Sequence, residues 1–559
     1  MAHTWTYSNE STMATPATPA TPSPEQLPGK HVPDEFRQSN LKWMSYPENL
    51  VRRTIGMGRD TVRAYREELN DFSPSLFLEQ DDDAEVCFRD FGAEGMPHRG
   101  MFKVCAGPRV PELSLITGMT LTFVGLSKLR AHSEEKMLKW LGIERTANLI
   151  ITKEDPKSRF IYIRGPGSLS RLHLTRSMMT TILSYHQVMP EFLDFITNFG
   201  HQERPFDIRF SGFRRQVTLR RPPTPLVIDQ LGRSGKQYQV VYSLKSTKFA
   251  TQAKSEIWRM ENAVFYHQFD IETGRAVWIV MKGGTDIYDR YRELTSADGR
   301  PEDKSFGSAE ECFTASLAPH VLFCQWSINN WRQNIRWLEK SVQTLITNTS
   351  IVYLYSRIGG SHPSEQKMTQ NIRAMQGFED SAHEAIVMLE GNLEVISSLK
   401  QLYEELAQPG NNAFPPGETC KDELLSFINQ LNGMSSGTRN MIMRFQTLAR
   451  TITHNNTSVM QIFEYSTAER TLNLSNNMQN EAMAMRIITI VTLIYLPATF
   501  VSTFFGTDII KYEDDSHPNG KYSGAALKSW LAISLPLTVV TGLAAWTCMD
   551  FKAMVALEV

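Results

Sequence analysis

Two uncharged stretches near the C-terminus constrain the fold of this chain more than any other feature. They comprise residues 487–507 and 529–549, and each is 21 residues long. Arg486 and Asp508 bound the first stretch. At ~1.5 Å rise per residue, a helix of this length spans a hydrocarbon core of about 30 Å. We therefore expect two transmembrane helices at the end of the chain, joined by a short connector.

The rest of the chain has the composition of an ordinary soluble protein. Its 559 residues carry a formal net charge of −2, which argues against a nucleic-acid partner, because nucleic-acid-binding domains carry a basic excess. The six cysteines form no CxxC pair, a pattern typical of reduced thiols in the cytosol. No catalytic motif is present, so we expect neither an enzyme nor a bound cofactor.

The N-terminal half divides into a tail and a folded domain. Residues 1–38, rich in Thr, Pro and Ala, are predicted to be a disordered tail because they contain too few apolar residues to form a core. Residues 39–317 are predicted to form an α/β (α+β) cytosolic domain, since strand and helix patterns alternate there. The predicted elements are strands at 148–153, 159–164 and 237–244, helices at 175–188 and 190–200, and a hairpin of 262–270 with 275–284.

The hydrophobic period changes at about residue 318, and steps of 3 and 4 predict a helical stalk over residues 318–485. Apolar residues at these steps predict three helices, over residues 328–345, 375–406 and 424–462. In the third helix, ten of twelve heptad-spaced positions are apolar, which is typical of a long coiled-coil-like helix. No proline lies between Pro416 and Pro497, so we expect this helix to continue into the first span.

One side of the first span carries hydroxyl groups at helical spacing. Thr489, Thr492, Thr499 and Thr503 follow steps of 3 and 4 when Leu496 is included. Two interpretations remain open: the hydroxyls pack transmembrane helices together, or they line a water-filled pore. Because two spans cannot enclose a channel, a pore would require several copies of the chain, with the stalk as the oligomerisation element.

The connector between the two spans is acidic at its centre. Glu513, Asp514 and Asp515 would form carboxylate rings at the mouth of an oligomeric pore and raise the local cation concentration. A solvated loop explains these residues equally well. About 480 residues precede the first span and no signal peptide is recognisable, so we expect an integral membrane protein with both termini in the cytosol.

Residues 485–506, MRIITIVTLIYLPATFVSTFFG, resemble the first span of the CorA family of divalent-cation channels. The matching features are a basic residue at the entry, a threonine-rich apolar span, Pro497 in mid-span and a closing aromatic-glycine pair. Residues 266–284, YHQFDIETGRAVWIVMKGG, resemble a segment of the fungal branch of this family. The resemblance implies an α/β cytosolic domain, a long stalk helix and a homopentamer in membrane lipid, with the first span kinked at Pro497.

The resemblance also implies roles for individual residues. The pore would be lined by one side of the first span, namely Met485, Ile488, Thr492, Leu496, Thr499 and Thr503. The outer filter would be Gly506, Thr507 and Asp508, where the family signature is Gly-Met-Asn. An asparagine ring can select Mg²⁺ through its hydration shell, because this ion sheds water reluctantly. A ring of Asp508 carboxylates, meeting the hydrated metal ion, is expected to strengthen cation attraction and to alter selectivity.

The functional expectation is therefore passive transport of a divalent cation, Mg²⁺ or Zn²⁺, through an oligomeric pore. A protein of a different class remains as the alternative: a membrane-anchored scaffold or ion sensor that retains the CorA-like fold without conducting. The replacement of the family asparagine by Asp508 motivates this alternative.

Three further features have simple structural explanations. The segments 164–170 (RGPGSLS) and 282–286 (KGGTD) lack the Lys-Ser/Thr pair of a phosphate-binding loop. His267 is expected to be a structural residue of the hairpin rather than a metal ligand. A group of arginines forms either a solvated loop or a docking patch for anionic lipid, namely Arg209, Arg214, Arg215, Arg220 and Arg221.

Overall fold

The computed structural model describes residues 32–52, 56–92, 126–146, 149–167, 170–201, 209–219, 224–252, 255–357, 365–408, 417–506 and 524–555. Its contacts divide the chain into two units. The first comprises Met1–His362 with Arg373–His454, and the second comprises Pro363–Ile372 with Asn455–Val559. Thr507, Asp508, Glu513, Asp514 and Asp515 lie outside the described residues.

Two helices come first in the described chain, α1 (Asp34–Leu41) and α2 (Arg59–Leu76). Val32 and Phe36 are 3% and 0% exposed and belong to the core of the first unit. The predicted boundary of the disordered tail at residue 38 is therefore wrong, since it falls inside α1. A single buried aromatic residue fixes this short helix, although its overall composition is polar.

A mixed seven-stranded sheet forms the centre of the first unit. Its strands are β1 (Val86–Phe91), β2 (Leu126–Ala131), β5 (Ser158–Ile163), β6 (Phe213–Thr218), β7 (Gln237–Gln252), β8 (Ser255–Asp270) and β9 (Ala276–Lys282). The order is β2-β1-β5-β9-β8-β7-β6, and every described pair is antiparallel except β5 with β9. Strands β3 (Ile143–Arg145) and β4 (Leu149–Ile151) form a separate antiparallel pair.

The predicted hairpin is confirmed as β8 and β9, and Asp270 shapes its turn. The Asp270 carboxylate accepts hydrogen bonds from the backbone N–H groups of Glu272 and Thr273, at 3.2 and 3.0 Å. Gly274 has φ +71°, a conformation that favours glycine. The predicted strands at 148–153, 159–164 and 237–244 correspond to β4, β5 and the first half of β7.

Helices cover both faces of the sheet, so alternate strand residues enter two different cores. Ile161 and Ile279 pack with α1, α4 (Arg176–Tyr185) and α5 (Leu193–Ile196), and α3 (Glu134–Leu141) lies at the edge of this core. Phe160 and Trp278 face the second core, with α6 (Gly284–Leu294) and α7 (Ala309–Ile328). This double burial explains why the strands are nearly continuous apolar runs.

The helical region contains α8 (Trp331–Arg357), α9 (Glu365–Leu406), α10 (Glu418–Phe505) and α11 (Gly524–Val555). Predicted apolar positions of the first three are buried against one another, among them Trp331, Leu389 and Phe445. Helix α10 has 88 residues and continues without interruption into the first uncharged stretch, as predicted. The predicted domain boundary at residues 317 and 318 falls inside α7, because this helix packs against the sheet.

Candidate functional site

Both uncharged stretches lie on helices that are long and apolar enough to cross a membrane. These are the C-terminal part of α10 and most of α11. Only 11% and 6% of their most apolar segments are buried within the chain. A core helix of a soluble protein would be mostly buried, so this apolar surface requires a different environment or a partner.

One side of the first span faces the second span. Pro497 is buried, Val501 is 3% exposed and Leu493 is half-buried, and these residues are four positions apart on the helix. Beside Val501, the Ser502 hydroxyl accepts a hydrogen bond of 3.0 Å from the indole Nε1–H of Trp530. This side of α10 is therefore taken up by contact within the chain.

The predicted pore-lining residues lie on the other side of the same helix. All six are exposed, namely Met485, Ile488, Thr492, Leu496, Thr499 and Thr503. At 3.6 residues per turn, they cluster on the side of the helix away from Pro497 and Val501. The structure therefore brings these residues together on one free surface. It also shows that the threonine side does not hold the two spans of one chain together.

The threonine hydroxyls satisfy their own donors within the helix. Thr492 Oγ1 donates to the carbonyl of Thr489 at 2.9 Å, and Thr499 Oγ1 donates to those of Tyr495 and Leu496, both at 3.0 Å. Each hydroxyl oxygen keeps lone pairs directed away from the backbone. The exposed face thus offers a row of neutral acceptors, which suits water molecules that donate hydrogen bonds while their oxygens face a cation.

Pro497 has no N–H group, so it cannot donate to the carbonyl of Leu493 one turn earlier. Helix α10 nevertheless continues through Pro497 to Phe505. The predicted kink at this residue stays a prediction. Gly506 follows the helix, is exposed, and donates its backbone N–H to the carbonyl of Ser502 at 3.0 Å. The rest of the predicted outer filter and the acidic mouth remain predictions, because they lie outside the described residues.

The arginine patch is largely paired with carboxylates. Arg215 Nη1 lies 2.6 Å from the Glu405 carboxylate, and Arg209 and Arg214 lie 3.9 and 4.0 Å from the carboxylates of Glu384 and Asp194. Arg220 and Arg221 lie outside the described residues. The positive charge of the described arginines is therefore offset within the chain, which disfavours a lipid-docking patch.

His267 is a fully buried residue of β8, as the structural interpretation expects. Its ring stacks on Trp278 at a centroid distance of 3.9 Å, and its Nδ1 lies 3.2 Å from Nε2 of His320. Burial lowers the pKa of His267, and the electrostatic interaction with nearby His320 lowers it further. In the described part of the chain, no group of three or more His, Cys, Asp or Glu residues is placed to hold a metal ion.

Sequence reasoning missed His320 and the contact between the two glycine-rich segments. The Lys282 ammonium donates to the carbonyls of Gly167 and Ser170, the latter at 2.7 Å, so these segments meet. Burial lowers the pKa of Lys282 to about 7. The only sequence signal for His320 is a polar residue within an apolar helix. Local sequence patterns could not identify the partners of His320 and Lys282, because those partners lie far away in the sequence.

Part of the chain resembles a known protein family. Residues 119–350 match the family model of the CorA-like transporters, and no curated protein matches the chain. The matched region covers most of the sheet, including residues 266–284, and ends in α8 before either apolar span. The mixed α/β region, the long helices and the two apolar C-terminal helices fit the overall plan of that family.

Proposed function

We propose that this chain is a channel for divalent cations, with Mg²⁺ as the first expected ion and Zn²⁺ as the second. Transport is passive and involves no covalent chemistry. One observation carries the proposal. The first apolar span presents an exposed row of threonine and apolar side chains opposite its contact with the second span. Most of the sheet region of the same chain matches the CorA-like transporters.

The proposed channel is a homo-oligomer, because two spans from one chain cannot surround a pore. Every residue from 471 to 492 on α10 is exposed, including Leu472, Met478 and Met485 at 66–68%. A helix with so much exposed apolar surface favours association with copies of itself. A homopentamer, which the resemblance to the CorA family implies, is the proposed assembly.

The proposed path begins at a constriction formed by Met485 and Ile488, where an apolar ring can gate the pore by excluding water. The hydroxyl oxygens of Thr492, Thr499 and Thr503 then accept hydrogen bonds from the hydration shell of the ion. This arrangement suits Mg²⁺, which keeps several of its waters. In the Gly-Thr-Asp filter, Asp508 adds negative charge, and Glu513, Asp514 and Asp515 of the connector attract cations from solution.

We further propose that the sheet-containing region and the stalk lie in the cytosol together with both termini. The connector then faces the opposite side of the membrane. With two candidate spans, the segments before the first span and after the second lie on the same side of the membrane.

The test is flux of divalent cations into liposomes that contain the purified protein and a Mg²⁺- or Zn²⁺-sensitive dye. The double variant Thr492→Val/Thr499→Val removes two hydroxyls from the proposed path while preserving side-chain shape. We expect a reduction of about tenfold or more in flux, since each hydroxyl contributes ~1 kcal/mol or more to a solvated ion. Thr547→Val is the matched control, because Thr547 is an exposed threonine of α11 with a similar intrahelical hydrogen bond.

Asp508→Asn restores the family asparagine and should shift the ratio of Mg²⁺ to Zn²⁺ flux. Size-exclusion chromatography with light scattering verifies the oligomer before each measurement. If a verified oligomer conducts no divalent cation above empty liposomes, the channel proposal is wrong. The alternative, a membrane-anchored non-conducting scaffold or ion sensor, then stands.

A further inference from the structure

A cluster of positive charges lies at one edge of the sheet, on the face covered by α6. The strand register places Arg89 of β1 opposite Lys128 of β2 and Phe160 of β5. One step along, Cys87 lies opposite Arg130 and Tyr162. Side chains opposite one another on neighbouring strands share a face at ~5 Å spacing. Arg89, Lys128 and Arg130 therefore lie on one face of two adjacent strands. Arg164 directly follows the last residue of β5, near the start of β1.

Arg89 is the unusual member of this cluster, because it is a buried cation that pairs with no carboxylate of the described residues. It is 1% exposed, and its Nη2 donates to Thr295 Oγ1 at 3.1 Å. Its Nε and Nη1, and the buried hydroxyl of Tyr162, have no hydrogen-bond partner among the described residues. Leaving such donors unpaired in the interior costs ~1–3 kcal/mol each, more for a charged group. This cost points to a partner that the described chain does not supply.

Aromatic rings provide part of the stabilisation of Arg89. Its guanidinium carbon lies 5.5 to 5.7 Å from the ring centroids of Phe91, Tyr288 and Tyr291. The Tyr288 ring also lies 4.7 Å from the guanidinium carbon of Arg164. Cation–π contacts of this kind are attractive, but they leave the guanidinium N–H groups without acceptors.

The charges around Arg89 are not balanced. Arg130 pairs with Glu85 at 3.6 Å, and Arg292 of α6 pairs with Asp289 at 3.3 Å. No carboxylate of the described residues lies within ion-pair distance of Arg89, Lys128 or Arg164. Burial lowers the pKa of Lys128, and the positive charges of Arg89 and Arg292 lower it further. These cations are therefore close enough to repel one another.

We propose that Arg89, Lys128 and Arg164 form a binding site for a phosphate-bearing anion, with Tyr162 and Tyr288 as its neutral wall. Guanidinium groups bind phosphate oxygens through paired, charge-assisted hydrogen bonds, and an ammonium group adds a point charge. Lys128 is exposed, and Arg164 and Tyr288 are half-buried, so an anion reaches them from solvent. The Tyr288 ring lies 5.6 Å from the Arg89 guanidinium carbon, so we expect its rotation to give an anion access to the unpaired donors of Arg89. This site does not depend on the proposed channel activity.

The first experiment uses the purified full-length protein in detergent micelles without divalent cations or phosphate buffer. Inorganic pyrophosphate is titrated by isothermal calorimetry. The double variant Lys128→Gln/Arg164→Gln should bind at least about tenfold more weakly, equivalent to ~1.4 kcal/mol. The matched control is Arg332→Gln/Arg336→Gln, which removes two exposed arginines from α8 and should leave the Kd unchanged. Equal weakening in both double variants would show non-specific attraction and overturn the proposal.

A second arm distinguishes a free anion from a lipid headgroup. Nanodiscs of phosphatidylcholine with or without a phosphoinositide carry the same protein, and pyrophosphate is titrated into both. If the natural ligand is a lipid headgroup, the phosphoinositide should compete with pyrophosphate. It should then weaken pyrophosphate binding in the wild type but not in Lys128→Gln/Arg164→Gln. Unchanged pyrophosphate affinity supports a free phosphate compound. Absence of saturable binding to either probe would overturn the site.

Arg89→Met tests the buried charge independently. A methionine removes an uncompensated cation at similar length, so we expect a Tm equal to or above that of the wild type without anion. The rise in Tm that pyrophosphate causes in the wild type should be lost. A lower Tm with an unchanged response to pyrophosphate would show that Arg89 is only structural and would overturn its place in the site.

Discussion

Replacement of Asp155 by asparagine should destabilise the sheet region strongly, although the change preserves size. The Asp155 carboxylate lies 2.7 Å from Arg233 Nε and 3.3 Å from Arg159 Nη1, and it accepts a 3.2 Å hydrogen bond from the Tyr185 hydroxyl. The side chains of all three charged residues are at most 9% exposed. Asp90 pairs with Arg159 but not with Arg233 among the described contacts.

The loss of stability is set by the electrostatic interactions of the buried Asp155 carboxylate. Burial alone would raise the pKa of Asp155, but Arg233 and Arg159 outweigh burial and lower it from 3.8 to about 2. That difference corresponds to roughly 2.5 kcal/mol of stability at neutral pH. Removing one partner of a buried ion pair typically costs about 3–5 kcal/mol, because the remaining charges stay buried. We therefore expect Asp155→Asn to lower Tm by roughly 5 °C, because the shift in Tm per kcal/mol becomes smaller in a large folded unit.

Thermal unfolding of the full-length protein in detergent, followed by tryptophan fluorescence, measures this loss. Glu404→Gln is the control, because Glu404 makes an exposed ion pair with Lys400 at 3.5 Å and should change stability by less than ~0.5 kcal/mol. A Tm for Asp155→Asn within two degrees of the control would refute the reasoning.

The contribution of Asp155 to stability should depend on pH. The folded pKa of Asp155 lies below its unfolded value, so its contribution is complete above about pH 4 and is lost as the pH falls through about 2. The difference in Tm between the wild type and Asp155→Asn should therefore stay constant from about pH 7 to 5 and shrink below about pH 4. A difference that grows on acidification would contradict the assignment.

Two other substitutions test contacts that hold the helices in place. Asn392 of α9 is fully buried and bonds both backbone groups of Lys245, at 2.9 and 2.7 Å, so Asn392→Leu should cost ~2–4 kcal/mol of stability in thermal unfolding. A loss below ~0.5 kcal/mol would show that these bonds are replaced by others. In the membrane segment, a double-mutant cycle of Trp530→Phe with Ser502→Ala should give a coupling of about 0.6 kcal/mol, and additive effects would exclude their hydrogen bond.

Local sequence patterns predicted the elements well where a single period dominates. Steps of 3 and 4 identified the apolar sides of α8, α9 and α10, and the strand–turn–strand pattern identified β8 and β9. The tail boundary was wrong at α1, because one aromatic residue, Phe36, fixes a short helix through distant contacts. The predicted boundary at residues 317 and 318 failed for a similar reason, since α7 packs on the sheet.

The candidate pore face was predicted in part. Threonine spacing identified which residues share a side of the first span, because helical geometry alone fixes that relation. It left open whether this side contacts the second span. The structure buries Pro497 and Val501, joins Ser502 to Trp530 of the second span by a hydrogen bond, and leaves Thr492 and Thr499 exposed.

The sequence by itself determined the segments that can cross a membrane, the long uninterrupted helix and the side of that helix that carries the hydroxyls. These properties depend on hydropathy, periodicity and the absence of proline, all of which are local. Only the tertiary structure decided which charged residues are paired. Arg215 is neutralised by Glu405, whereas Arg89 is buried without a carboxylate among the described residues. The physical reason is that burial and Coulomb interactions depend on distances between residues that lie far apart in the chain.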